Sequence, residues 1–506
     1  MKTRVIVDPL TRIEGHLRVE AVVEDGVVVE ARSGGTLYRG FEQILVGRDP
    51  LDAVQITQRF CGVCPTAHAV ASSQCLDNAL GIMPPENGRI IRNLIQGANY
   101  IQSHILHFYH LGVLDFVRGP EFPPFVPRYE ADYRLPKTTS EEIVNHYVQA
   151  LHIRLKAHEM SAVFSGKMPH CASVVPGGVT VTPTVDKVTT FLWRLRELRD
   201  FIQNVYLPDV LTIAEVYRDY AEMGVGCKNL LSYGAFDLSN EPNVTQRKRF
   251  FQMARWREGK LEPVDASKIT EDVTSAWYGS PTHLPPSSGE TLPAPKKVSG
   301  YTWLKAPRYD NAVYEVGPMA RAVIAYTGGG NSAHVKVLDE ALTRLRLKPE
   351  NLFSVLGRHL CRAIETKLLA DAMADWVLQV KLDQPVAVPH VMPERAQGYG
   401  LWDASRGALG HWISIRNKRI ERYQAVVPTT WNASPRDDQG RPGAIEQALV
   451  GAPVRDPANP FSVARIVRSF DPCIACAVHL LTPRGDLLQK ISVIGDPEWT
   501  RVATAG

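Results

Sequence analysis

The sequence predicts a mainly α-helical protein with small β regions, an α+β fold organised as one large unit. Three long segments, at residues 86–116, 140–163 and 352–382, have the apolar spacing of α-helices. Segments with the alternation typical of strands are short, and the first of them lie within residues 1–35. The 506 residues are enough for about three average domains, but neither an internal repeat nor a low-complexity linker divides them. We therefore expect one α-rich domain with small β elements at its edges.

The N-terminal segment is predicted to form strands. Residues 15–24 alternate apolar and polar side chains, residues 25–26 are the Asp-Gly of a tight hairpin turn, and residues 27–31 return. Residues 49–60 are then expected to form a short helix that ends next to Cys61.

The following helix has the clearest boundaries and is predicted from Pro65 to Leu80. Proline has the fixed φ angle suited to a first helical position, and Gly81 can end the helix in the left-handed conformation. Cys64 then lies at the helix N-terminus, where exposed N–H groups favour a thiolate over a thiol. His68, four residues later, falls on the same helical face as Cys64.

Helical patterns continue through the middle of the chain. Helices are predicted at residues 86–116, 140–163 and 185–220. The intervening segments are a proline-rich stretch at 117–138, a loop at 167–180 and a mixed region with short strands at 225–310. The first helix carries histidines at steps of three, a stripe more often hydrogen-bonded than metal-bound: His104, His107 and His110.

The C-terminal third alternates helices with glycine-containing segments. Helices are predicted at residues 317–326, 332–345, 352–382, 445–450 and 461–467. Arg406 stands among glycines, and it is either a turn residue on the surface or a buried cation aimed at a site. The sequence alone leaves both possibilities open. Residues 480–506 are expected to form a strand hairpin with a loose tail.

Composition and charge argue against several classes of protein. A hydrophobic content of 44% and a charged content of 22% are those of an ordinary soluble globular protein. The net charge of +4 gives no reason to expect binding to nucleic acid or lipid headgroups. The sequence has no apolar run of about 18 residues and no signal-peptide core near its start, so we expect no transmembrane helix. Four of the eight cysteines are isolated and are expected to be buried apolar residues: Cys75, Cys171, Cys227 and Cys361.

The other four cysteines form two Cys-x-x-Cys pairs, each followed by a histidine. They are Cys61 and Cys64 with His68, and Cys473 and Cys476 with His479. Four thiols in two close pairs are the ligands of a tetrathiolate metal site. Nearly the whole chain separates the pairs, whereas zinc ribbons separate them by about 15–20 residues. A structural zinc ion and a catalytic or redox-active metal both stay open, with a disulfide in each pair as a weaker alternative.

With these motifs, the chain resembles the large subunit of nickel-iron hydrogenases of the respiratory uptake type. The two cysteine motifs match the family signatures Arg-x-Cys-Gly-x-Cys-x-x-x-His and Asp-Pro-Cys-x-x-Cys-x-x-His. Supporting matches occur in the family's order at residues 12–16, 39–42, 104–109, 304–309, 315–318, 406–412 and 423–431. Each match alone is weak, but together they are highly specific. The resemblance implies the large-subunit fold, with a long central helix bundle.

The resemblance implies a nickel-iron centre that oxidises H2 by heterolytic cleavage. Cys61, Cys64, Cys473 and Cys476 would hold nickel, a metal that soft thiolates suit. Cys64 and Cys476 would also bind an iron that carries cyanide and carbon monoxide.

The resemblance also implies roles for residues around the metals. The thiolate of Cys473 would accept the proton from H2 and pass it to Glu14. Arg406 would lie over the open site and polarise H2, and Asp471 would hold it in position. His68 and Arg406 would contact the ligands of the iron or a bridging sulfur.

A second metal is implied by three further matches. Glu42, the backbone carbonyl of Ala425 and His479 match the family's magnesium site, and hard oxygen ligands suit that ion. Without the resemblance, an ion pair with Arg39 or another cation explains Glu42 equally well.

The family further implies partners and processing. Electrons would pass to iron–sulfur clusters in a small subunit, since this chain has too few spare cysteines to bind such clusters itself. They would then pass through a membrane cytochrome to a respiratory acceptor. Chaperones would assist maturation, and an endopeptidase would cut after His479, leaving residues 1–479 as the catalytic domain and removing residues 480–506. Co-export with the small subunit would place the protein at the periplasmic face of the membrane, with the cytoplasm as the alternative.

Two positions depart from the family pattern. Ser103 stands where an aspartate near the active-site arginine is usual, and Ser405 stands where proline is common. Neither change removes a metal ligand, but both alter the surroundings of Arg406. The alternative functions are a reversible cytoplasmic hydrogenase, a non-enzymatic quinone-module subunit, which would lack the cysteine pairs, and a zinc-stapled structural protein.

Overall fold

The computed structural model of the chain describes residues 2–329 and 332–477. Its α-helices are α1 (Phe41–Leu45), α2 (Asp52–Thr57), α3 (Pro65–Leu80), α4 (Glu86–Leu106), α5 (Lys137–Ser165), α6 (Val185–Phe201), α7 (Leu207–Val216), α8 (Pro318–Gly328), α9 (Ser332–Leu345), α10 (Val355–Leu378), α11 (Pro428–Asn432), α12 (Ala444–Leu449), α13 (Phe461–Ser469) and α14 (Ile474–Ala477). Its strands are β1 (Lys2–Val7), β2 (Leu17–Glu24), β3 (Val27–Gly35), β4 (Val174–Val175), β5 (Gly178–Val179), β6 (Asn229–Ser232), β7 (Ala235–Asp237), β8 (Arg249–Phe251), β9 (Ala254–Arg257), β10 (Lys260–Glu262), β11 (Ile269–Asp272), β12 (Ala306–Tyr309), β13 (Arg395–Ala404), β14 (Gly407–Arg416) and β15 (Arg419–Val426). The hairpin predicted for residues 480–506 lies outside the described residues.

Four long helices form the centre of the molecule. Helix α4 packs against α5 and α10, and α6 packs against the same two helices. Nearly every side chain of α4 between Asn87 and Ile105 is buried, which is the pattern of a helix covered on all sides. The predicted mainly α fold with small β regions and a central helix bundle is therefore confirmed.

Helix α3 has the boundaries that the sequence predicts. Cys64 is its N-cap residue, Pro65 occupies the first turn, and Gly81 ends it with φ of 65°. The predicted helix at 86–116 is regular only as far as Leu106, after which the chain continues as a π-helical turn (His107–Gly112) and a 3-10 turn (Val113–Asp115). Local sequence signals therefore fix both ends of α3, the helix that begins directly after Cys64.

One sheet lies inside the molecule, which differs from the expectation of β elements only at the edges. Strands β13, β14 and β15 form an antiparallel sheet, and β13 packs directly on α3. Glycine makes this approach possible, because a Cβ atom at Gly400 would lie 2.3 Å from the carbonyl oxygen of Ala71, and one at Gly398 would lie 2.5 Å from the carbonyl oxygen of Cys75. The helix that bears Cys64 and His68 is therefore seated on this sheet.

The remaining sheets are small and antiparallel. The N-terminal sheet has the order β1-β2-β3, with the predicted hairpin forming β2 and β3. The other groupings are β10-β9-β6, β11-β12, β7-β8 and β4-β5. No helix within the described part of the chain is long and apolar enough to cross a membrane.

A buried charge network joins the helical core to the inner sheet. Arg321 of α8 donates two hydrogen bonds to Glu365 of α10, at 2.7 and 2.8 Å, and one to Asp403 of β13, at 2.8 Å. Burial alone would raise the pKa of Glu365, but the charge of Arg321 and the hydrogen bond to His104 outweigh it and bring the pKa to about 2. Glu365 is therefore ionised at neutral pH and holds Arg321 between the two layers.

The three histidines of the predicted stripe are hydrogen-bonded. His104 contacts Glu365 at 2.9 Å, His107 contacts the carbonyl of Arg468 at 2.7 Å, and His110 contacts the carbonyl of Tyr147 at 3.2 Å. Each imidazole has a protein partner, as the sequence analysis favoured.

The close approach of α3 to β13 generates a stability prediction. The Gly400→Ala substitution places a Cβ atom 2.3 Å from the Ala71 carbonyl oxygen, so we expect it to lower the free energy of unfolding by about 1–3 kcal/mol through overpacking. Urea unfolding followed by tryptophan fluorescence measures the change. Gly279→Ala is the control, because its nearest heavy atom, Ala294 Cβ, would be 3.7 Å away. Equal unfolding midpoints for the two variants would contradict this account of the packing.

Candidate metal centre

Two segments from opposite ends of the chain bring four cysteine sulfurs together. Cys61 follows a 3-10 turn, Cys64 caps α3, Cys473 precedes α14 and Cys476 lies within it. The Sγ atoms of Cys61 and Cys473 are 3.3 Å apart, those of Cys64 and Cys476 are 3.2 Å apart, and those of Cys473 and Cys476 are 3.0 Å apart. Cys64 and Cys473 are 4.0 Å apart at Sγ, and all four residues are buried. Metal–sulfur bonds of about 2.3 Å place sulfurs at such separations around one ion, whereas a disulfide bond is about 2.05 Å long.

Backbone contacts hold the two cysteine segments in this arrangement. Glu14 forms a parallel β-bridge with Cys473, and the amide of Ile474 donates to the Glu14 carbonyl at 2.8 Å. The guanidinium of Arg39 donates to the carbonyls of Phe60 and Ala475, one from each cysteine segment. The N-terminal region therefore joins the first and second cysteine pairs. The sequence analysis did not identify this role of Arg39, although its family motif is the signal that could have marked it.

The carboxylate of Glu14 lies against the second cysteine pair. Its Oε2 atom is 3.2 Å from Cys473 Sγ and accepts a hydrogen bond of 2.9 Å from the amide of Ala475. Burial raises the pKa of Glu14 to about 7, and the charge of Cys61 acts in the same direction. The carboxyl group can therefore gain or lose a proton near neutral pH.

Arg406 is a buried cation, so the alternative of a turn residue on the surface is wrong. It connects β13 to β14, and only 3% of its surface is exposed. Its Nε donates to the Asp471 carbonyl at 3.0 Å, its Nη1 donates to Ser103 Oγ at 3.3 Å, and its Nη2 lies 3.0 Å from Asp471 Oδ1. Burial disfavours the cation, but the charge of Asp471 outweighs this effect and holds the pKa of Arg406 above its ordinary value.

Three charged atoms of this pair lack hydrogen-bond partners among the described residues. They are Nη2 of Arg406 and both carboxylate oxygens of Asp471, because the ion pair between them does not have hydrogen-bond geometry. The backbone of Asp471 also has φ of 56°, an uncommon value for a residue other than glycine. Buried polar atoms usually have partners, and these three are free to contact a group that binds beside them.

Serine hydroxyls stand where the family usually has an aspartate and often a proline. Ser405 Oγ donates to Ser103 Oγ at 3.1 Å, and Ser103 also accepts from Arg406. Both serines are buried. Arg406 therefore forms an ion pair with Asp471 and has a neutral hydrogen-bond acceptor, Ser103, at the second position.

A line of neutral polar groups begins at Cys476. His68 Nε2 is 3.5 Å from Cys476 Sγ, and His68 Nδ1 is 3.2 Å from His411 Nε2. His411 Nδ1 is 2.6 Å from the hydroxyl oxygen of Tyr423, which is 3.0 Å from Ser72 Oγ. The sequence analysis placed His68 beside the metals but missed His411 and Tyr423. Both lie inside the matched family segments, which are the only sequence signal for them.

Glu42 lies apart from the cysteines, in a second polar cluster. Its Oε1 accepts from the amide of Ala425 at 3.0 Å, its Oε2 accepts from Thr291, and Lys305 Nζ lies 3.6 Å from Oε2. The cation beside Glu42 is thus Lys305 rather than Arg39. Glu42 contacts the amide of Ala425 and not the carbonyl named as a magnesium ligand. The third expected ligand, His479, lies outside the described residues.

The four isolated cysteines do not join the cluster of four. Cys75, Cys171 and Cys361 are buried, and Cys227 is partly exposed. Burial raises the pKa of all four thiols, to about 12 for Cys171, Cys227 and Cys361. They are protonated at neutral pH. The expectation of burial is confirmed for three of them and is wrong for Cys227.

Comparison with known proteins gives consistent matches over nearly the whole chain. A sequence model of the family described as nickel-dependent hydrogenase matches residues 39–119 and 118–479. The chain is 44% identical over 495 residues to the periplasmic NiFeSe hydrogenase large subunit of Desulfomicrobium baculatum, with 95% of each chain covered. It is 34% identical to the uptake hydrogenase large subunit of Rhizobium leguminosarum bv. viciae over an alignment of 587 positions including gaps, with 97% of each chain covered. The solved Ni-Fe-Se hydrogenase of Desulfovibrio vulgaris Hildenborough in its oxidized state has a TM-score of 0.89 and 45% identity, covering 95% of this chain and 100% of that chain.

The two serines beside Arg406 allow a test that does not require bound metal. Ser103→Ala removes the acceptor of Arg406 Nη1 and the partner of Ser405 Oγ, so we expect a loss of about 1–3 kcal/mol in the free energy of unfolding. Ser161→Ala is the matched control, because Ser161 is equally buried and its hydroxyl has no hydrogen-bond partner among the described residues. The measurement is urea unfolding of both variants. A Ser103→Ala variant as stable as Ser161→Ala would show that these hydroxyls do not support Arg406.

Proposed function

Because the chain belongs to the nickel-dependent hydrogenase family, we propose that its four buried cysteine sulfurs hold nickel and that Glu14 and Arg406 serve its reaction with H2. The chain is a hydrogenase large subunit, an oxidoreductase that oxidises H2 by heterolytic cleavage and passes electrons to a small subunit. This membership decides against the non-enzymatic quinone-module and zinc-stapled alternatives. The observation that carries the residue assignments is the cluster of four buried sulfurs beside Glu14.

The donor set of the cluster fits a nickel-iron centre. The four Sγ atoms lie within 4.8 Å of one another, and soft thiolates suit nickel. The unpaired atoms of Arg406 and Asp471 further support a bound group beside the sulfurs. Cys61, Cys64, Cys473 and Cys476 would hold nickel, and Cys64 and Cys476 would also hold an iron with cyanide and carbon monoxide ligands. When bound, this centre would supply the cleavage of H2 into two protons and two electrons.

Sulfur is proposed as the donor atom at all four positions. Two of the similar proteins are named NiFeSe hydrogenases, whereas this chain has cysteine at each of the four positions of the cluster. The proposed centre is therefore of the nickel-iron type, with thiolate ligands alone.

The side chains around the sulfurs would handle the proton. Cys473 Sγ is the proposed base, and its contact of 3.2 Å with Glu14 Oε2 lets the proton move from sulfur to carboxylate. The guanidinium of Arg406 places a permanent positive charge near the sulfurs, which stabilises negative charge there and polarises H2. Asp471 keeps that guanidinium in position through its carbonyl and its carboxylate.

We further propose a magnesium ion at Glu42, with the carbonyl of Ala425 and His479 as the other protein ligands. A buried carboxylate supports this proposal, since oxygen ligands suit magnesium. Lys305 would then balance part of the negative charge of Glu42.

The partners and the location follow from the same family. We propose an iron–sulfur small subunit as the electron acceptor, a membrane cytochrome beyond it, and maturation by chaperones and by an endopeptidase that removes residues 480–506 from the domain at 1–479. The name of the Desulfomicrobium baculatum relative, a periplasmic enzyme, supports export with the small subunit to the periplasmic face of the membrane.

Metal analysis of the purified complex tests the assignment of the cysteines. Plasma mass spectrometry should find stoichiometric nickel with iron in excess, and infrared spectroscopy should show bands from metal-bound cyanide and carbon monoxide. Cys473→Ala should lose nickel and H2 oxidation together, because a thiolate ligand is removed. Cys361→Ala, which removes a buried thiol outside the cluster, should keep both. Zinc in place of nickel, without the infrared bands, would show that the four cysteines have a structural role.

A second experiment tests the proton route. Glu14→Gln should retain nickel and iron but lower H/D exchange by about 10²- to 10⁴-fold, because the amide cannot accept the proton from Cys473. Glu446→Gln is the control, since Glu446 is another buried carboxyl whose pKa burial raises to about 7, and it lies against Ser33 and Tyr301 instead of the cysteines. A Glu14→Gln variant that exchanges H/D at the wild-type rate would show that the proton takes another route.

A further inference from the structure

The side chain of Asp272, at the end of β11, is a fully buried carboxylate outside the cysteine centre. Among the described residues, neither an arginine nor a lysine forms an ion pair with it, and the closest charged partner is His283, with Nε2 at 3.6 Å. Lys297 interacts with Asp272 electrostatically, but its amine donates hydrogen bonds to the carbonyls of Val273 and Tyr278. Buried charges in proteins are paired or coordinate metals, so the carboxylate of Asp272 requires a cation beside it.

Two further ligand groups lie next to this carboxylate. Nε2 of His283 is 3.0 Å from Asp438 Oδ2 and 3.6 Å from Asp272 Oδ2. One ligand atom from each of these three residues lies within 4.8 Å of the others. Bonds of about 2.1 Å from a metal ion to nitrogen and oxygen place neighbouring ligand atoms about 3.0–3.4 Å apart. The three side chains therefore have the spacing of ligands around one ion.

Hydrogen bonds hold the buried member of this cluster in a fixed orientation. Thr282 Oγ1 donates to Asp272 Oδ2 at 2.9 Å, and the amide of Thr274 donates to Asp272 Oδ1 at 2.8 Å. The amide of Asp438 also donates to Asp272 Oδ2, at 3.4 Å. Contacts of this kind orient the ligands of a metal site before the ion binds. Little rearrangement of Asp272 is therefore needed for it to bind a cation.

The other two ligand groups are open to solvent. The side chain of His283 is 36% exposed and that of Asp438 is 39% exposed, so an ion can reach them and water can complete its coordination. An imidazole suits zinc and similar transition metals, whereas calcium and magnesium sites are built from oxygen ligands. Two carboxylates supply the negative charge that balances a divalent ion. The ligand set therefore favours a zinc-like ion.

We propose that Asp272, His283 and Asp438 bind a divalent cation of the zinc class, with water at its remaining positions. The site uses none of the four clustered cysteines, so this inference does not depend on the proposed function. The ion would join the end of β11 to the loop at 434–441, across 166 residues of sequence. Asp437 of the same loop accepts a hydrogen bond of 2.8 Å from Arg308 of β12. The bound ion would therefore cross-link this part of the chain and stabilise its folded state.

Zinc binding to the purified complex, loaded with its own metals, tests the inference. His283→Gln and Asp438→Asn each remove one ligand at a partly exposed position, where the fold tolerates substitution. Equilibrium dialysis against zinc chloride should show one bound zinc fewer in each variant, or an affinity for that zinc at least about 10-fold lower. Zinc should raise the thermal unfolding midpoint of the wild type more than that of either variant. H2 oxidation measured without added zinc should be the same in all three proteins.

His146→Gln is the matched control, because His146 also contacts an aspartate, Asp209, at 2.9 Å, but outside the three-ligand cluster. It should bind zinc as the wild type does. Anomalous scattering at the zinc edge from zinc-soaked crystals should place an ion between His283 and Asp438. Equal zinc binding by the wild type and both ligand variants would overturn the inference, as would anomalous peaks found only at other positions. Either result would mean that His283 is only hydrogen-bonded to Asp438.

Discussion

The meeting of the two ends of the chain is the constraint on which the rest of the structure depends. Cys61 and Cys64 must lie beside Cys473 and Cys476, although some 400 residues of helices and sheets separate them. Backbone hydrogen bonds of Glu14 and the guanidinium of Arg39 join the segments, so the connections that follow β1 and β3 contact both cysteine pairs. The proposed metal would add its binding free energy to this same contact, which would couple the folding of both ends to the loading of the site.

Buried arginines fix the inner sheet relative to the helices, and the same chemistry orients the site. Arg321 is held between Glu365 and Asp403, and each carboxylate lies on a different element. Removing one partner of such a buried pair leaves an uncompensated charge, which is strongly destabilising. Arg406 lies two residues beyond the end of β13, so the ion pairs that hold β13 in place also determine where Arg406 lies. Because Ser103 is neutral, the ion pair with Asp471 is the largest contribution that compensates the charge of Arg406.

The sequence predicted the parts of the structure that depend on local signals. Helix α3 was located correctly because Pro65 and Gly81 mark its ends, and the cysteines and Glu14 were found through their motifs. The burial of Arg406 could not be derived, because it depends on β13 and β14 lying inside the molecule. That placement requires the close packing of Gly398 and Gly400 against α3. The spacing of residues within one strand does not reveal such packing. The contact between Lys305 and Glu42 could not be derived for the same reason, because the two residues are far apart in the sequence.

The two cysteines of the second pair have different chemical surroundings although they are three residues apart. Cys473 faces the carboxylate of Glu14, a group that can take up and release a proton near neutral pH. Cys476 faces the imidazole of His68, which is backed by His411 and Tyr423, and burial keeps both imidazoles neutral. A titratable partner suits a sulfur that exchanges protons, whereas the neutral imidazole beside Cys476 offers no such exchange. The sulfur proposed to handle the proton and the sulfur proposed only to bind metal would therefore lie three residues apart in different surroundings.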